Sequence, residues 1–221
     1  ISIQMAAREL RFRWFEEIRR TYKYDWISLA HNQDDNVETF LINLTRGTGL
    51  RGLSGIKVKS NRIIRPLLFA SRPAIEQYQK DNSIQFVEDS SNTSLKYKRN
   101  RIRHKVIPQF EILNPNFKNN VIETIENLSK THDLLIDQIS LRTDSSLHQE
   151  GGDIFIDIEK LLNEGHTETY LYEFLAPYGF PHRMIPQIRE SLLSNSGKQF
   201  LSSTHRLIKD RHHLIINRLG I

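Results

Sequence analysis

The chain has 221 residues, 38% hydrophobic and 26% charged, with ten glycines and seven prolines, which fits one large domain or two small ones and excludes a peptide, a collagen-like chain or a low-complexity chain. Its lack of cysteine removes a disulfide scaffold, a zinc knuckle, an iron–sulfur site and a thiol nucleophile from these residues, and no run approaches the roughly 18 apolar residues of a membrane span, so a soluble, cytoplasmic protein is expected. The net charge of +5, from 31 basic against 26 acidic side chains, says little by itself.

Along the chain, Ala6, Leu10, Trp14 or Phe15 and Ile18 recur at helical spacing over residues 5–20. Trp26, Ile27, Leu29 and Ala30 then read as a central strand of a parallel sheet, ending at His31. Asn32-Gln33-Asp34-Asp35 offers capping chemistry for a helix reaching about Arg46. Four of the ten glycines follow, at 47, 49, 52 and 55, as a flexible loop after that helix. Ile63-Ile64 with Pro66 predicts a short edge strand, and Ser71 before Arg72-Pro73 starts a helix that stops near Asn82. Glu88–Asn92 is loop-like, and the basic cluster after it enters a helix. Asn114-Pro115-Asn116 is the clearest break and the candidate domain boundary. Beyond it, Phe117, Val121, Ile125, Leu128, Leu135 and Ile139 mark a long helix. Residues 144–152 are rich in Ser, Asp and Gly; Ile154–Ile156 then reads as a strand, 168–176 and 183–193 as helices, and Phe200-Leu201, Leu207-Ile208 and Leu214–Ile216 as strands with a turn near Arg211-His212. No internal repeat is found.

Three groups of residues could carry chemistry. His31, Asp34, Asp35 and Glu38 fall at the carboxyl end of the first strand and on the next helical turns, where open α/β sheets bind ligands. Asp35 and Glu38, three apart on one helix face, could hold a magnesium ion or an ammonium group, or they could simply complement the helix dipole. Gly47-Thr48-Gly49-Leu50-Arg51-Gly52 matches G-x-G-x-x-G, but a helix precedes it where the dinucleotide fingerprint needs a strand. Beside Arg46 and Arg51 it can still present N–H groups and guanidiniums to a phosphate. From Lys96 to Lys105 the run KYKRNRIRHK carries Lys96, Lys98, Arg99, Arg101, Arg103 and Lys105 with no acidic residue. Without i,i+4 partners of opposite charge, this run suits a polyanion better than a salt-bridged surface. Asp210–His213 reads as a solvated hairpin turn rather than a metal site. No Walker loop, G-x-S-x-G or H-E-x-x-H pattern occurs.

Taken together, residues 30–56 (AHNQDDNVETFLINLTRGTGLRGLSGI), RPLL at 65–68, EDSSN at 88–92 and RNRIRHKVIP at 99–108 resemble the tRNA(Ile)-lysidine synthetase family of the N-type ATP pyrophosphatase (PP-loop) group. The resemblance covers residues 1 to about 110, and the remainder is loosely similar to the family's middle domain. It implies an α/β fold: the C-terminal part of a Rossmann-like N-type ATP pyrophosphatase domain (1–115), a long connector helix (116–143), and a small mixed α+β domain (144–221) holding the middle domain and the start of the C-terminal domain. It further implies a carbon–nitrogen ligase. ATP adenylates the C2 oxygen of the wobble cytidine in an isoleucine tRNA with a CAU anticodon, and L-lysine then displaces AMP to give lysidine. ATP and Mg2+ are the implied cofactors, with magnesium on Asp35 and Glu38. The implied catalytic residues are His31, Asp35, Glu38 and Arg103. Arg46, Gly47, Gly49 and Gly52 would lie beside nucleotide and tRNA, and Lys96, Lys98, Arg99, Asn100, Arg101, Arg103 and Lys105 would bind tRNA. A homodimer is left open. Two departures stand out: Asn36 occupies a position where the family commonly has Gln, and the S-G-G-x-D-S pyrophosphate loop is absent from these residues. The expectation is a chain that begins part-way through its catalytic domain, lacks much of the family's final domain and is inactive alone. The competing classes are a non-catalytic RNA-binding module, a tRNA thiolation enzyme and a small-molecule amidating synthetase.

Overall fold

The computed structural model describes residues 3–87, 94–163 and 165–219; the EDSSN stretch at 88–92 lies outside them. The chain forms two compact units, 1–130 and 131–221.

In the first unit, α1 (Ile3–Thr21) is the predicted amphipathic helix, but its inward face differs from the one read off the sequence. Leu10 and Trp14 are 64% and 57% exposed, while Phe12, Phe15 and Ile18 are half-buried. The first strand, β1, is confined to Ile27–Ser28. It pairs in parallel with β3 (Ile63–Ile64), and β2 (Lys59–Ser60) pairs antiparallel with β3 on its other side. The sheet order is therefore β1-β3-β2. This reverses two expectations, since Ile63-Ile64 is the central strand and the Ile27 strand is an edge. Sequence patterning missed β2 because Lys59 and Ser60 are polar and paired only through their backbone, on a strand exposed to solvent.

Helix α2 (Gln33–Leu44) begins where the capping residues place it and ends two residues before Arg46. Val37 and Leu41, one turn apart, pack with Ile102, Ile107, Val121 and Ile125 in the unit's core. A four-residue helix, α3 (Leu50–Leu53), lies inside the glycine-rich stretch. Gly55 there is constrained in both backbone and space. Its φ is +69°, and a Cβ on it would stand 2.5 Å from Asn36 Oδ1 and 2.6 Å from Ile125 Cγ2. Gly55→Ala is expected to cost about 2–3 kcal/mol, from the left-handed backbone and from overpacking, seen as a lowered midpoint in denaturant unfolding with an unchanged slope.

Ser71 caps α4 (Arg72–Asp81), accepting from Ala74 N at 3.3 Å, and Asn82 ends it, as the sequence indicates. The basic run forms α5 (Lys98–Arg101), a π-helical turn (Ile102–Val106) and α6 (Ile107–Leu113). The break at Asn114-Pro115-Asn116 is a turn within the first unit. Phe110 and Phe117 stack across it at 4.6 Å, and Phe117 N donates to Asn114 O at 2.9 Å. Helix α7 (Phe117–Ser146) follows, and the division between the units falls within it, between residues 130 and 131.

The second unit is built on a five-stranded antiparallel sheet ordered β4-β5-β8-β7-β6. Its strands are β4 (Leu147–Glu150), β5 (Asp153–Asp157), β6 (Gln199–Leu201), β7 (His205–Lys209) and β8 (His213–Arg218). The Ser-, Asp- and Gly-rich residues 144–152 are the end of α7, then β4 and a Gly151-Gly152 turn, with β4 formed by pairing with β5 rather than by a local pattern. Three helices, α8 (Ile158–Asn163), α9 (Thr167–Leu175) and α10 (Ile185–Leu192), share a core with one sheet face. Ile156, Leu207, Leu214 and Ile216 meet Leu161, Leu171, Leu175 and Ile188 there, all nearly inaccessible. Each such side chain contributes roughly 1.5–3 kcal/mol. Residues 210–212 form the β7–β8 turn, as expected, and among the described residues no cluster of three or more His, Asp or Glu could hold a metal ion. No helix among them is long and apolar enough to cross a membrane.

Candidate active site

The parallel pairing of β1 with β3 sets the site. Register Ser28↔Ile64 brings the residues after each strand to the same sheet edge, so His31 and Arg65 become neighbours and α2 starts beside them. Asn32 caps α2 in a reciprocal box: Asp35 N donates to Asn32 Oδ1 at 3.0 Å, and Asn32 N donates to Asp35 Oδ2 at 2.9 Å. Asp34 is structural, accepting from Arg72 N at 2.7 Å and pairing with Lys118 at 3.1 Å.

One turn on, Glu38 is 1% exposed although ionisable. Arg99 and Arg103 stand at i,i+4 across the junction of α5 with the π-helical turn, hence on one face. Arg103 Nε donates to Glu38 Oε1 at 2.6 Å, Arg99 Nε lies 3.3 Å from Oε2, and Arg99 also donates to Thr39 Oγ1 at 2.9 Å. Asp35 Oδ1 is 4.0 Å from Arg99 Nη1. Burial pushes the Glu38 carboxyl above its usual range, and Arg103 and Arg99 offset part of that rise. His31 is held below its ordinary value, chiefly by burial and also by the charges of Arg65, Arg99 and Arg8, with Asp35 opposing.

The structure thus brings His31, Asp35, Glu38, Arg99 and Arg103 together. It places the other expected residues elsewhere. Lys96, Lys98, Arg101 and Lys105 are exposed, whereas Asn100 turns inward, buried, and donates to Ser94 O at 2.8 Å. Arg46, Gly47, Gly49 and Gly52 follow the opposite end of α2, about 15 Å along the helix from Asp35. There the dipole presents carbonyls rather than N–H groups, so anion binding at that loop would depend on Arg46 and Arg51.

Magnesium on Asp35 and Glu38 does not fit this donor set. Glu38 already faces two guanidiniums and Asp35 Oδ2 is taken by the cap, while a hard dication needs carboxylate oxygens free of such partners.

Sequence reasoning gave no role to Arg65, Thr39 or Asn36. Arg65 Nε donates to His31 Nδ1 at 3.2 Å, and its position just after a strand parallel to β1 was the signal that could have found it. Asn36 Oδ1 accepts from Ile56 N at 2.7 Å, tying the glycine-rich segment to α2 through a buried amide.

A buried acid facing two guanidiniums at the carboxyl ends of parallel strands defines an α/β domain with a site suited to anionic or polar ligands. Models of known families match at two places, the PP-loop domain over residues 1–110 and the TilS substrate binding domain over 149–219. The chain thus joins a PP-loop domain to a TilS substrate binding domain. It is 42% identical over 222 residues to the tRNA(Ile)-lysidine synthase of Bacteroides thetaiotaomicron, covering 99% of this chain and 50% of that protein. The enzymes of the same name from Parabacteroides distasonis (42% over 219 residues; 99% and 49%) and Porphyromonas gingivalis (39% over 225 residues; 98% and 47%) are similar to the same extent. The chain spans about half the length of these relatives.

Proposed function

We propose that this chain carries part of the catalytic machinery of an enzyme that ligates L-lysine to C2 of the wobble cytidine of tRNA(Ile) with a CAU anticodon, forming lysidine through an adenylated tRNA. The observation that carries the reading is the similarity to tRNA(Ile)-lysidine synthases across 99% of the chain. The Glu38–Arg99–Arg103 cluster is consistent with it. In this reading residues 1–115 are the C-terminal part of a Rossmann-like PP-loop domain and 144–221 the substrate-binding part.

ATP supplies the activating adenylate and is expected for a PP-loop protein. The chain's own residues bind and orient. Arg103 and Arg99, partly exposed beyond Glu38, present guanidinium N–H groups to phosphate or to the charge that develops on the reacting base. Asp35 offers carboxylate charge to the lysine ammonium. Lys96, Lys98, Arg101 and Lys105 supply a solvent-facing cationic strip for the tRNA backbone.

The test is ATP-dependent incorporation of labelled lysine into a tRNA(Ile) transcript with a CAU anticodon, by the intact gene product and by this chain. Incorporation by the intact product supports the reading; tRNA binding without incorporation overturns it in favour of an RNA-binding module. Replacing Lys96 and Lys98 by Gln is expected to weaken tRNA binding and to reduce the slope of log K against log salt by about 1.4–1.8, the value for two lost phosphate contacts. Filter binding over a salt series measures it, and an unchanged slope removes these lysines from the interface.

A further inference from the structure

We infer that Arg65 is a positioning residue for His31, holding the imidazole neutral and protonated at Nε2, so that His31 serves its site as an N–H donor and not as a proton acceptor. The inference deepens the proposed function and rests on it only for what the donor meets. Its geometric basis is the 3.2 Å bond from Arg65 Nε to His31 Nδ1. A guanidinium has five N–H donors and no acceptor, so the bond exists only while Nδ1 keeps its lone pair. The single ring proton of a neutral imidazole must then sit on Nε2. A doubly protonated ring would turn N–H against N–H.

Arg65 is itself fixed. Its Nη1 donates to Lys57 O at 2.8 Å and its backbone N to Val58 O at 2.9 Å, and it follows the central strand of its sheet, so it cannot simply swing away if the ring becomes charged. The other charges around His31 come from three helices: Asp35 on α2 favours the imidazolium, whereas Arg99 on α5 and Arg8 on α1, like Arg65, oppose it. Burial opposes it as well. A neutral N–H donor at this place suits an acceptor oxygen on the substrate, where it polarises a C–O or P–O bond without bringing a proton that titrates near neutrality.

The test uses the intact protein labelled with 15N-histidine, with the His31 signals identified by their loss in His31→Gln. Long-range 15N–1H spectra are expected to show an unprotonated Nδ1 and a protonated Nε2 from about pH 7 to 8. In Arg65→Met the ring is expected to become a mixture of both neutral forms and to charge at higher pH than in the wild type. The acid limb of the pH–rate profile should move up with it, lowering kcat about two- to threefold near pH 6 and less than about twofold at pH 7 as the competent fraction falls. Arg65→Lys keeps a donor-only cation and should retain the wild-type tautomer, which separates this role from mere support of the Lys57 loop. A His31 protonated at Nδ1, or charged across that range, in the wild type overturns the inference, as does an Arg65→Met spectrum identical to wild type. Failure of lysine ligation with the wild-type tautomer pattern intact would overturn the proposed function and leave this one standing.

Discussion

Replacing Arg103 with alanine is expected to lower lysine ligation about 10²–10³-fold while the fold survives. The rate loss is that of one charged donor removed from a site where charge develops. Stability should fall by only about 1 kcal/mol. A fully buried ion pair broken by loss of one partner costs about 3–5 kcal/mol, but the Arg103 side chain is 36% exposed and Arg99 remains 3.3 Å from the same carboxylate. Steady-state ligation kinetics together with a denaturant melt check both halves. Arg103→Lys should rescue stability and little of the rate, because an ammonium cannot reproduce the Nε–H contact to Glu38 while offering further N–H groups outward. Full turnover in Arg103→Ala would remove this residue from the chemistry, and collapse of the fold would make it structural.

What was legible in the sequence, and what was not, divides along physical lines. Helices with a strong cap and a periodic face were readable: α2 from Asn32 and Asp35, α4 from Ser71 and Pro73, and α7 from the Val121 and Ile125 spacing. Short strands defined by pairing alone were not. Nothing local in Lys59-Ser60 or Leu147–Glu150 says strand, and their partners, Ile63-Ile64 and Asp153–Asp157, supply the stabilisation. The break at Pro115 was visible, but the stacking of Phe110 on Phe117 that keeps both sides in one unit was not. For the site, His31 at a strand end and Asp35 and Glu38 on the next helical turns could be placed together from spacing, and the basic run stood out by charge. Which of its six cations turn inward depends on the helical face set by two buried residues, Ile102 inside the run and Ile107 just after it. That face selects Arg99 and Arg103 and leaves the lysines in solvent. Arg65 was hidden because its partner is 34 residues away, joined only by strand pairing.

Glu38→Gln should separate stability from activity in a direction that a purely structural acid would not. The Glu38 carboxyl is pushed above its usual range mainly by burial, so the folded protein binds its proton more tightly than the unfolded chain does. Stability from this group is then greatest at low pH and declines as pH rises from the ordinary glutamate value, near 4.5, through the raised one, beyond which it is flat. A glutamine resembles the protonated acid in size and charge, and the guanidiniums it leaves behind, at 38% and 36% side-chain exposure, keep contact with water. The variant should therefore be at least as stable as wild type at neutral pH and should lose that component of the pH dependence. Ligation should nevertheless fall about 10–10²-fold, because Arg99 and Arg103 lose the shared carboxylate that fixes their positions, and displacements of about 1 Å carry penalties of that size. Glu38→Ala, by contrast, empties a buried site and should lower both. Urea melts across the acid range, paired with ligation rates, decide the matter: a Glu38→Gln protein that melts early would identify a structural ion pair, and one that turns over normally would show that the two arginines hold their places without it.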